Sequence, residues 1–232
     1  MFIKKVVGVT VYISIITLFV FGCMNIKSSV GNKNIEKYFH ENVDERYRIG
    51  VENYVFLIKN HQMELGCDDL TSDPMCMPLT TSTATGLVFS SDKNSLFVLT
   101  AAHFCKSYPI LGTSEIIYGV AKDQERPLYI LAMDEETDIC LLMGTKYNNE
   151  AFNQIKLELN VPSIGSDVYT VASPNGVAGE GLRPIFTGKF AGCNDINCMT
   201  TIPATFGSSG AGIYTSEGKL ITIVMAVTTG FE

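Results

Sequence analysis

The chain has 232 residues, of which 46% are hydrophobic and 18% charged, and its formal net charge is −7. This length and composition are those of a globular protein with one large or two small cores, and they argue against a disordered chain. The acidic balance, without clusters of lysine or arginine, argues against nucleic-acid binding, because phosphate contacts need grouped positive charge.

The first 22 residues have the layout of an export signal. Lys4 and Lys5 precede an almost uncharged apolar run, which is slightly short for a membrane-spanning helix. The run ends in Phe21-Gly22-Cys23, which resembles a bacterial lipoprotein cleavage box with Cys23 as the lipidated residue, although Phe21 replaces the usual small residue. A plain signal peptide and an uncleaved anchor are the alternatives. We therefore expect an exported protein that is tethered to the cell-envelope membrane or secreted.

Residues 23–50 are polar and mixed in charge, which predicts a tether with a short helix around residues 35–47. From residue 51 onward, short β-type runs alternate with turn signals. The predicted strands are Tyr54–Ile58, Thr85–Ser90, Ser95–Thr100, Leu128–Asp134, Ile139–Met143, Val168–Ala172, Pro184–Phe190, Gly212–Thr215 and Lys219–Thr228.

A polar stretch at residues 146–154 divides these strands into two sets. Many short strands at close spacing indicate an all-β barrel or sandwich. We predict two small antiparallel β-barrels side by side, the first over residues 51–146 and the second over residues 155–232.

The chain contains seven cysteines, and six remain when Cys23 is set aside. An even number in an exported chain indicates disulfides, although six cysteines allow about 15 connectivities. The close pairs Cys67 with Cys76 and Cys193 with Cys198 could each close one loop, whereas Cys105 and Cys140 could also be free core thiols. No zinc-type spacing is present, so no metal site or other cofactor is expected.

Three segments carry groups suited to acyl transfer. Leu99–His103 is a strand that ends in small residues and then a histidine, which gives a general base room to approach its partners. Asp138 opens an apolar strand, where a carboxylate can orient a histidine. Glycines surround Ser208 and Ser209 in the segment 207–212, and they permit a strained turn that exposes a hydroxyl and aims backbone N–H groups at one point. Each segment alone is a weak signal, and their combination is specific.

In the order histidine, aspartate, serine, these segments resemble the motifs of trypsin/chymotrypsin-like serine peptidases. Residues 165–176 and 216–221 are similar to the bacterial Deg/HtrA-type branch, and the likeness covers roughly residues 51–230. The resemblance implies two antiparallel barrels of the six-stranded type. It also implies a serine endopeptidase that acts on protein or peptide substrates, and we expect no PDZ domain.

Carried over residue by residue, the resemblance implies that Ser209 is the nucleophile, His103 the general base and Asp138 its orienting acid. The backbone N–H groups of Gly207 and Ser209 would form the oxyanion hole. Ser208 is the rival nucleophile, which the family spacing disfavours.

Several positions depart from the family pattern. Ser208 replaces an aspartate that pairs with a new N-terminus in digestive enzymes, so activation by N-terminal trimming is not expected. Ala211 and Gly212 replace Gly-Pro, and Ala211 would be strained only at positive φ. Few residues follow the strand over 221–229, so the second barrel either closes differently or is incomplete. Residues 201–206 contain no acid, which argues against cleavage after lysine or arginine and favours a small or medium apolar residue.

Two other functions are compatible with parts of the sequence. One is a catalytically inactive trypsin-fold protein that acts as a binding or envelope module. The other is a disulfide-stapled β-type adhesion domain, which would have no reason to bring His103 close to Ser209. The sequence leaves the oligomeric state open.

Overall fold

The computed structural model describes residues 43–63, 80–106, 113–147, 150–177, 182–194 and 197–225. The predicted signal, most of the predicted tether and its helix, Cys23, and the pair Cys67 and Cys76 lie outside these residues. Among the residues described, no helix is long and apolar enough to cross a membrane.

The described part of the chain is almost entirely β. Two short helices, α1 (Arg48–Asn53) and α2 (Ala102–Cys105), accompany 3-10 turns at Glu45–Tyr47 and Pro174–Gly176. The strands are β1 (Tyr54–Met63), β2 (Thr80–Ser91), β3 (Ser95–Ala101), β4 (Thr113–Ala121), β5 (Gln124–Asp134), β6 (Ile139–Thr145), β7 (Asp167–Val171), β8 (Ile185–Cys193), β9 (Cys198–Thr200), β10 (Gly212–Thr215) and β11 (Leu220–Ile223).

The first six strands form a closed antiparallel barrel in the order β1-β2-β3-β6-β5-β4. Alternation of side chains along each strand fills its interior, as on β3, where Leu96 and Val98 are fully buried. Leu99, one residue further on, packs instead against the core cluster that also contains Tyr169 and Tyr214 of the second sheet. The barrel wall therefore carries apolar side chains on its inner and on part of its outer surface, and the outer ones pack against the second sheet.

Strand β4 was not predicted from the sequence, although it closes the barrel by pairing with both β1 and β5. Its residues do not alternate between polar and apolar, because apolar side chains such as Ile116 and Val120 also occupy its partly exposed face. The short strand β9 was missed as well. It holds three residues, too few to show a period.

The remaining strands form an open antiparallel sheet of five strands in the order β11-β10-β7-β8-β9. The prediction of a first barrel of six strands is confirmed, whereas the second unit is a half-barrel over the part of the chain that is described. Val168, Phe190, Ile202 and Ile213 form a small core on one side of this sheet. Cys193 and Cys198 form a disulfide across the β8–β9 hairpin, as their spacing predicted.

The polar stretch between the two units is anchored rather than free. The Asn153 amide N–H donates to Asn53 Oδ1 at 3.0 Å, and the Asn53 side chain donates to the Asn153 carbonyl at 2.7 Å. Glu150 forms a bidentate ion pair with Arg126, whose side chain is 1% exposed. Polar residues of this stretch therefore bind two buried side chains, Asn53 at the end of α1 and Arg126 on β5.

Candidate active site

The pairing of β3 with β6 brings His103 to Asp138, although 35 residues separate them. Thr100 lies opposite Cys140 and Ala101 opposite Ile139, so the two strands end together at this edge of the barrel. The Ala102 N–H then donates to the Asp138 carbonyl at 3.0 Å and extends the ladder by one step. The histidine in α2 and the aspartate directly before β6 are adjacent for this reason.

Both carboxylate oxygens of Asp138 bind His103. Oδ1 accepts from the His103 backbone N–H at 2.7 Å, and Oδ2 lies 2.8 Å from the ring Nδ1. Because an ionised carboxylate only accepts, Nδ1 carries the proton and Nε2 is left as the basic nitrogen. The Asp138 side chain is 26% exposed and that of His103 48% exposed, so the carboxylate is largely covered while the ring faces the solvent.

A positive φ at Asp138 helps to turn its carboxylate toward the histidine. Its φ is 52°, in the left-handed region that aspartate tolerates better than most residues. The turn before it is held by Asp134, which accepts hydrogen bonds from the Thr137 hydroxyl at 2.8 Å and the Glu136 N–H at 3.0 Å. These hydrogen bonds, the one from Thr137 above all, lower the pKa of Asp134.

A disulfide joins the two segments that carry His103 and Asp138. Cys105 and Cys140, each two residues after one of these side chains, form a disulfide with a Cα–Cα distance of 6.4 Å. Both cysteines are buried in the core of the first barrel. The sequence could not decide whether these cysteines form a disulfide or remain free thiols, because only the register of β3 and β6 brings them together.

Ser209 lies in the turn between β9 and β10, and the two glycines that flank the serines are required by backbone geometry. Gly207 and Gly210 have φ values of 88° and 83°. A Cβ on Gly207 would collide with the Ser173 carbonyl, and a Cβ on Gly210 with the Thr85 carbonyl. These positions thus need glycine both for their conformation and for space.

The structure distinguishes the two neighbouring serines. Ser208 is 1% exposed, and its Oγ accepts a hydrogen bond from the Thr205 N–H at 3.3 Å, which closes a local turn. Ser209 is half-buried and lines the cleft that His103 also lines. Within the described part of the chain, no hydrogen bond joins the Ser209 hydroxyl to His103; such contacts often tighten only when substrate binds. Ala211 has no positive φ, so its replacement of glycine causes no strain.

The backbone N–H of Gly207 points away from a carbonyl that is held in place. The Phe206 carbonyl accepts from the Asn175 N–H at 2.5 Å, and all the described peptide bonds are trans. In a trans peptide the C=O and the following N–H point in opposite directions. The Gly207 N–H therefore points away from Asn175. Among the described residues, no group accepts a hydrogen bond from the N–H of Gly207 or from that of Ser209.

These groups line one cleft of about 650 Å³. Its walls are formed by residues 82–84 of β2, Lys59, His103, Phe104, Asn175, Phe206, Gly207 and Ser209. The proximity of His103 and Ser209 is what the adhesion-domain alternative did not predict. Phe206 is 88% exposed at the rim and offers an apolar surface beside the turn.

Lys59 brings a positive charge to the wall of the cleft, where it contacts a backbone carbonyl and lies near a carboxylate. Its Nζ donates to the Lys106 carbonyl at 2.9 Å and lies 3.9 Å from Glu115 Oε1. Burial lowers the pKa of Lys59, and the nearby Glu115 opposes that shift. Lys59 is only 4% exposed, so its ammonium group chiefly binds neighbouring groups of the protein.

The structure thus brings together the described residues that the sequence assigned to the triad and the oxyanion hole, namely His103, Asp138, Ser209 and Gly207. Sequence reasoning missed Thr85 and Asn175, which contact the turn around Ser209 from two other segments. Asn175 carried a usable signal, since the Pro-Asn-Gly turn predicts the positive φ of 54° observed there. Thr85 lies in a run of threonines and carried none.

A family model described as a trypsin-like peptidase domain matches residues 84–223, more than half of the chain. No match to a curated protein sequence was found. Among solved structures, the chain is similar to the active form of the Rv3671c protease from M. tuberculosis, with a TM-score of 0.54 and 15% identity over 79% of this chain and 74% of that one.

The serine endoprotease from Yersinia pestis gives a TM-score of 0.54 with 17% identity, over 78% of this chain and 56% of that one. At these identities the two structures establish a shared fold. The family match adds the sequence evidence, and its limits enclose His103, Asp138 and Ser209. The chain belongs to the trypsin-like peptidase family.

Proposed function

We propose that this protein is an exported serine endopeptidase in which His103, Asp138 and Ser209 form the catalytic triad. The observation that carries the proposal is the 2.8 Å hydrogen bond between His103 Nδ1 and Asp138 Oδ2 at the wall of the cleft that Ser209 also lines. The hydrogen bond leaves Nε2 as the base, and the exposed ring is free to approach a substrate and the serine hydroxyl.

In the proposed reaction, Ser209 Oγ attacks the scissile carbonyl carbon and its proton passes to His103 Nε2. The carbonyl oxygen becomes an oxyanion, which the N–H groups of Gly207 and Ser209 stabilise; one such donor typically contributes about 3 kcal/mol to lowering the barrier. The C–N bond then breaks, and His103 returns the proton to the departing amine. Water, deprotonated by His103, hydrolyses the acyl-enzyme ester and regenerates the Ser209 hydroxyl.

Labelling with a fluorophosphonate probe tests this proposal. We expect the folded protein to label, and Ser209→Ala to abolish labelling. Ser208→Ala is the matched control, since it removes the neighbouring hydroxyl, which is buried; it should retain labelling within about tenfold. Failure of the folded wild-type chain to label, or to hydrolyse casein and small esters, would favour an inactive binding or envelope module of the same fold.

The preference for a small or medium apolar residue before the scissile bond remains part of the proposal. It rests on the absence of an acidic residue from the segment 201–206 and on the apolar character of Phe206 at the rim of the cleft. Cleavage of a peptide library followed by mass spectrometry tests it. Cleavage chiefly after lysine or arginine would contradict it.

Export is proposed from the N-terminal sequence, with Cys23 as the site of lipidation. It is supported by the two disulfides, Cys105–Cys140 and Cys193–Cys198, because disulfides persist mainly in oxidising compartments. Metabolic labelling with a fatty-acid analogue separates the alternatives. Incorporation that is lost in Cys23→Ser indicates a lipoprotein, whereas an unlabelled protein in the medium or in the membrane indicates a plain signal peptide or an anchor.

A further inference from the structure

Thr85, on β2 of the first barrel, connects three segments of the candidate site through one fully buried residue. Its hydroxyl donates to the Gly207 carbonyl at 2.8 Å and accepts from the Ser173 N–H at 2.9 Å. Its own N–H donates to the Ser209 carbonyl at 2.9 Å. The Thr100 hydroxyl in turn donates to the Thr85 carbonyl at 2.8 Å, so the residue is held at every polar atom.

Two of these hydrogen bonds, and a third from Asn175, act on the backbone around Gly207. Gly207 has φ 88° and no Cβ, so its own backbone does little to restrict its orientation. The peptide plane before it is held by the Asn175 N–H on the Phe206 carbonyl, and the plane after it by the Thr85 hydroxyl on the Gly207 carbonyl. Because peptide groups are planar, holding both planes fixes the direction of the Gly207 N–H.

The Thr85 hydroxyl also supports the first of these two clamps. The Thr85 hydroxyl accepts a hydrogen bond from the Ser173 N–H. Ser173 directly precedes the Pro174–Gly176 turn, which contains Asn175. Ser173 is fully buried, and its hydroxyl is hydrogen-bonded to that of Tyr54. The Thr85 hydroxyl thus contacts the turn that carries Ser209 and the residue directly before the turn that holds the Phe206 carbonyl.

We propose that Thr85 is a positioning residue for the oxyanion hole. From β2 of the first barrel, its hydrogen bonds fix the orientation of the Gly207 peptide in the turn that precedes β10. The inference rests on the proposed function, since it assigns a role within that same site. All the hydrogen bonds that Thr85 makes join it to uncharged groups. We therefore expect the hole to be held without an ion pair.

The test compares the near-isosteric Thr85→Val with Thr85→Ser, which keeps the hydroxyl. Thr170→Val is the matched control, because Thr170 is another buried threonine whose hydroxyl donates to a carbonyl, that of Gly212, at 2.7 Å. Each full-length variant is assayed for folding, for kcat and KM on a small ester, and for inhibition by a peptide aldehyde. The aldehyde forms a hemiacetal whose oxyanion occupies the hole.

In Thr85→Val we expect kcat to fall about 10- to 100-fold, KM to stay within about threefold, and the aldehyde to bind more weakly by a factor like that of kcat. Thr85→Ser should stay within about threefold of the wild type. A folded Thr85→Val with unchanged kcat and aldehyde affinity overturns the inference. So does a loss in Thr170→Val as large as that in Thr85→Val, because general destabilisation would then explain both.

The outcomes separate this inference from the proposed function. A wild-type protein that does not react with fluorophosphonate defeats the proposed function, whereas a reactive wild type with an unimpaired Thr85→Val defeats only the role of Thr85. If Thr85→Val does not fold, Thr85→Ala and Thr85→Ser decide in its place. Serine should then exceed alanine in kcat by about tenfold or more, and equal values contradict the inference.

Discussion

The two halves of the site are built on different principles. His103 and Asp138 lie at the end of two paired strands of a closed barrel, where strand register, direct hydrogen bonds and a disulfide all hold them. Ser209 lies on a turn of an open sheet. That turn is held by Gly210, whose N–H donates to the Val224 carbonyl at 2.7 Å, and by contacts from β2 of the first barrel.

This difference shows which parts of the chain position the catalytic groups of each half. The histidine–aspartate pair is positioned by elements of its own barrel, whereas the nucleophile turn depends on groups donated from elsewhere in the chain. Substitutions in the first barrel can therefore impair Ser209 through the backbone of its turn, and the region that holds His103 should be the more stable of the two.

The largest contrast should come from charged pairs in the two regions. Glu150→Ala leaves Arg126 buried without a counter-charge, and we expect it to lower the free energy of unfolding by about 3–5 kcal/mol. Glu158→Ala is the counterpart in the second region, where the carboxylate pairs with Lys219 at 3.1 Å near the surface; it should cost far less. Urea denaturation measures both. Equal losses would contradict the claim that the first barrel depends more on its buried pair.

A smaller contrast is expected between the two disulfides. Cys105–Cys140 closes a loop with a sequence separation of 35, and Cys193–Cys198 one with a separation of 5. The entropy that each removes from the unfolded chain corresponds to about 4 and about 2 kcal/mol. We therefore expect the Cys105→Ala/Cys140→Ala pair to lose more stability than the Cys193→Ala/Cys198→Ala pair in thermal unfolding. The reverse order would mean that the open sheet depends more on its covalent link.

The smallest effect concerns alkaline pH. Burial raises the pKa of Tyr169, which stacks on Tyr214 in the core between the two units, to about 12. Between pH ~10 and that value the unfolded chain loses this proton and the folded one keeps it, so the free energy of unfolding falls as pH rises. We expect Tyr169→Phe to reduce that fall, with little effect near pH 7.

Chemical denaturation at several pH values measures this slope. Tyr129→Phe is the control, because Tyr129 is a first-barrel tyrosine with 65% of its surface exposed. A slope reduced equally in both variants, or in neither, would contradict the assignment of the alkaline sensitivity to the core between the units.

Local sequence was sufficient for the features that depend on neighbouring residues. The glycines at 207 and 210 are needed because of their own φ values and the atoms beside them, so a motif of six residues could reveal the turn. Strand β10 matched its predicted bounds, Gly212–Thr215, because the turn residues on either side of it, in the segments 207–211 and 216–218, are local signals. The order of histidine, aspartate and serine along the chain was likewise readable without coordinates.

The tertiary structure alone decided which distant groups meet. The pairing of Cys105 with Cys140 follows from the register of β3 and β6, which no local pattern records. The contacts of Thr85 with the Gly207 turn arise where the barrel meets the open sheet, and Glu150 is explained only by Arg126 inside the barrel. The residues that carry the proposed chemistry are evident in the sequence because their motifs are local. The residues that hold them in place are not, because their partners are brought together only by folding.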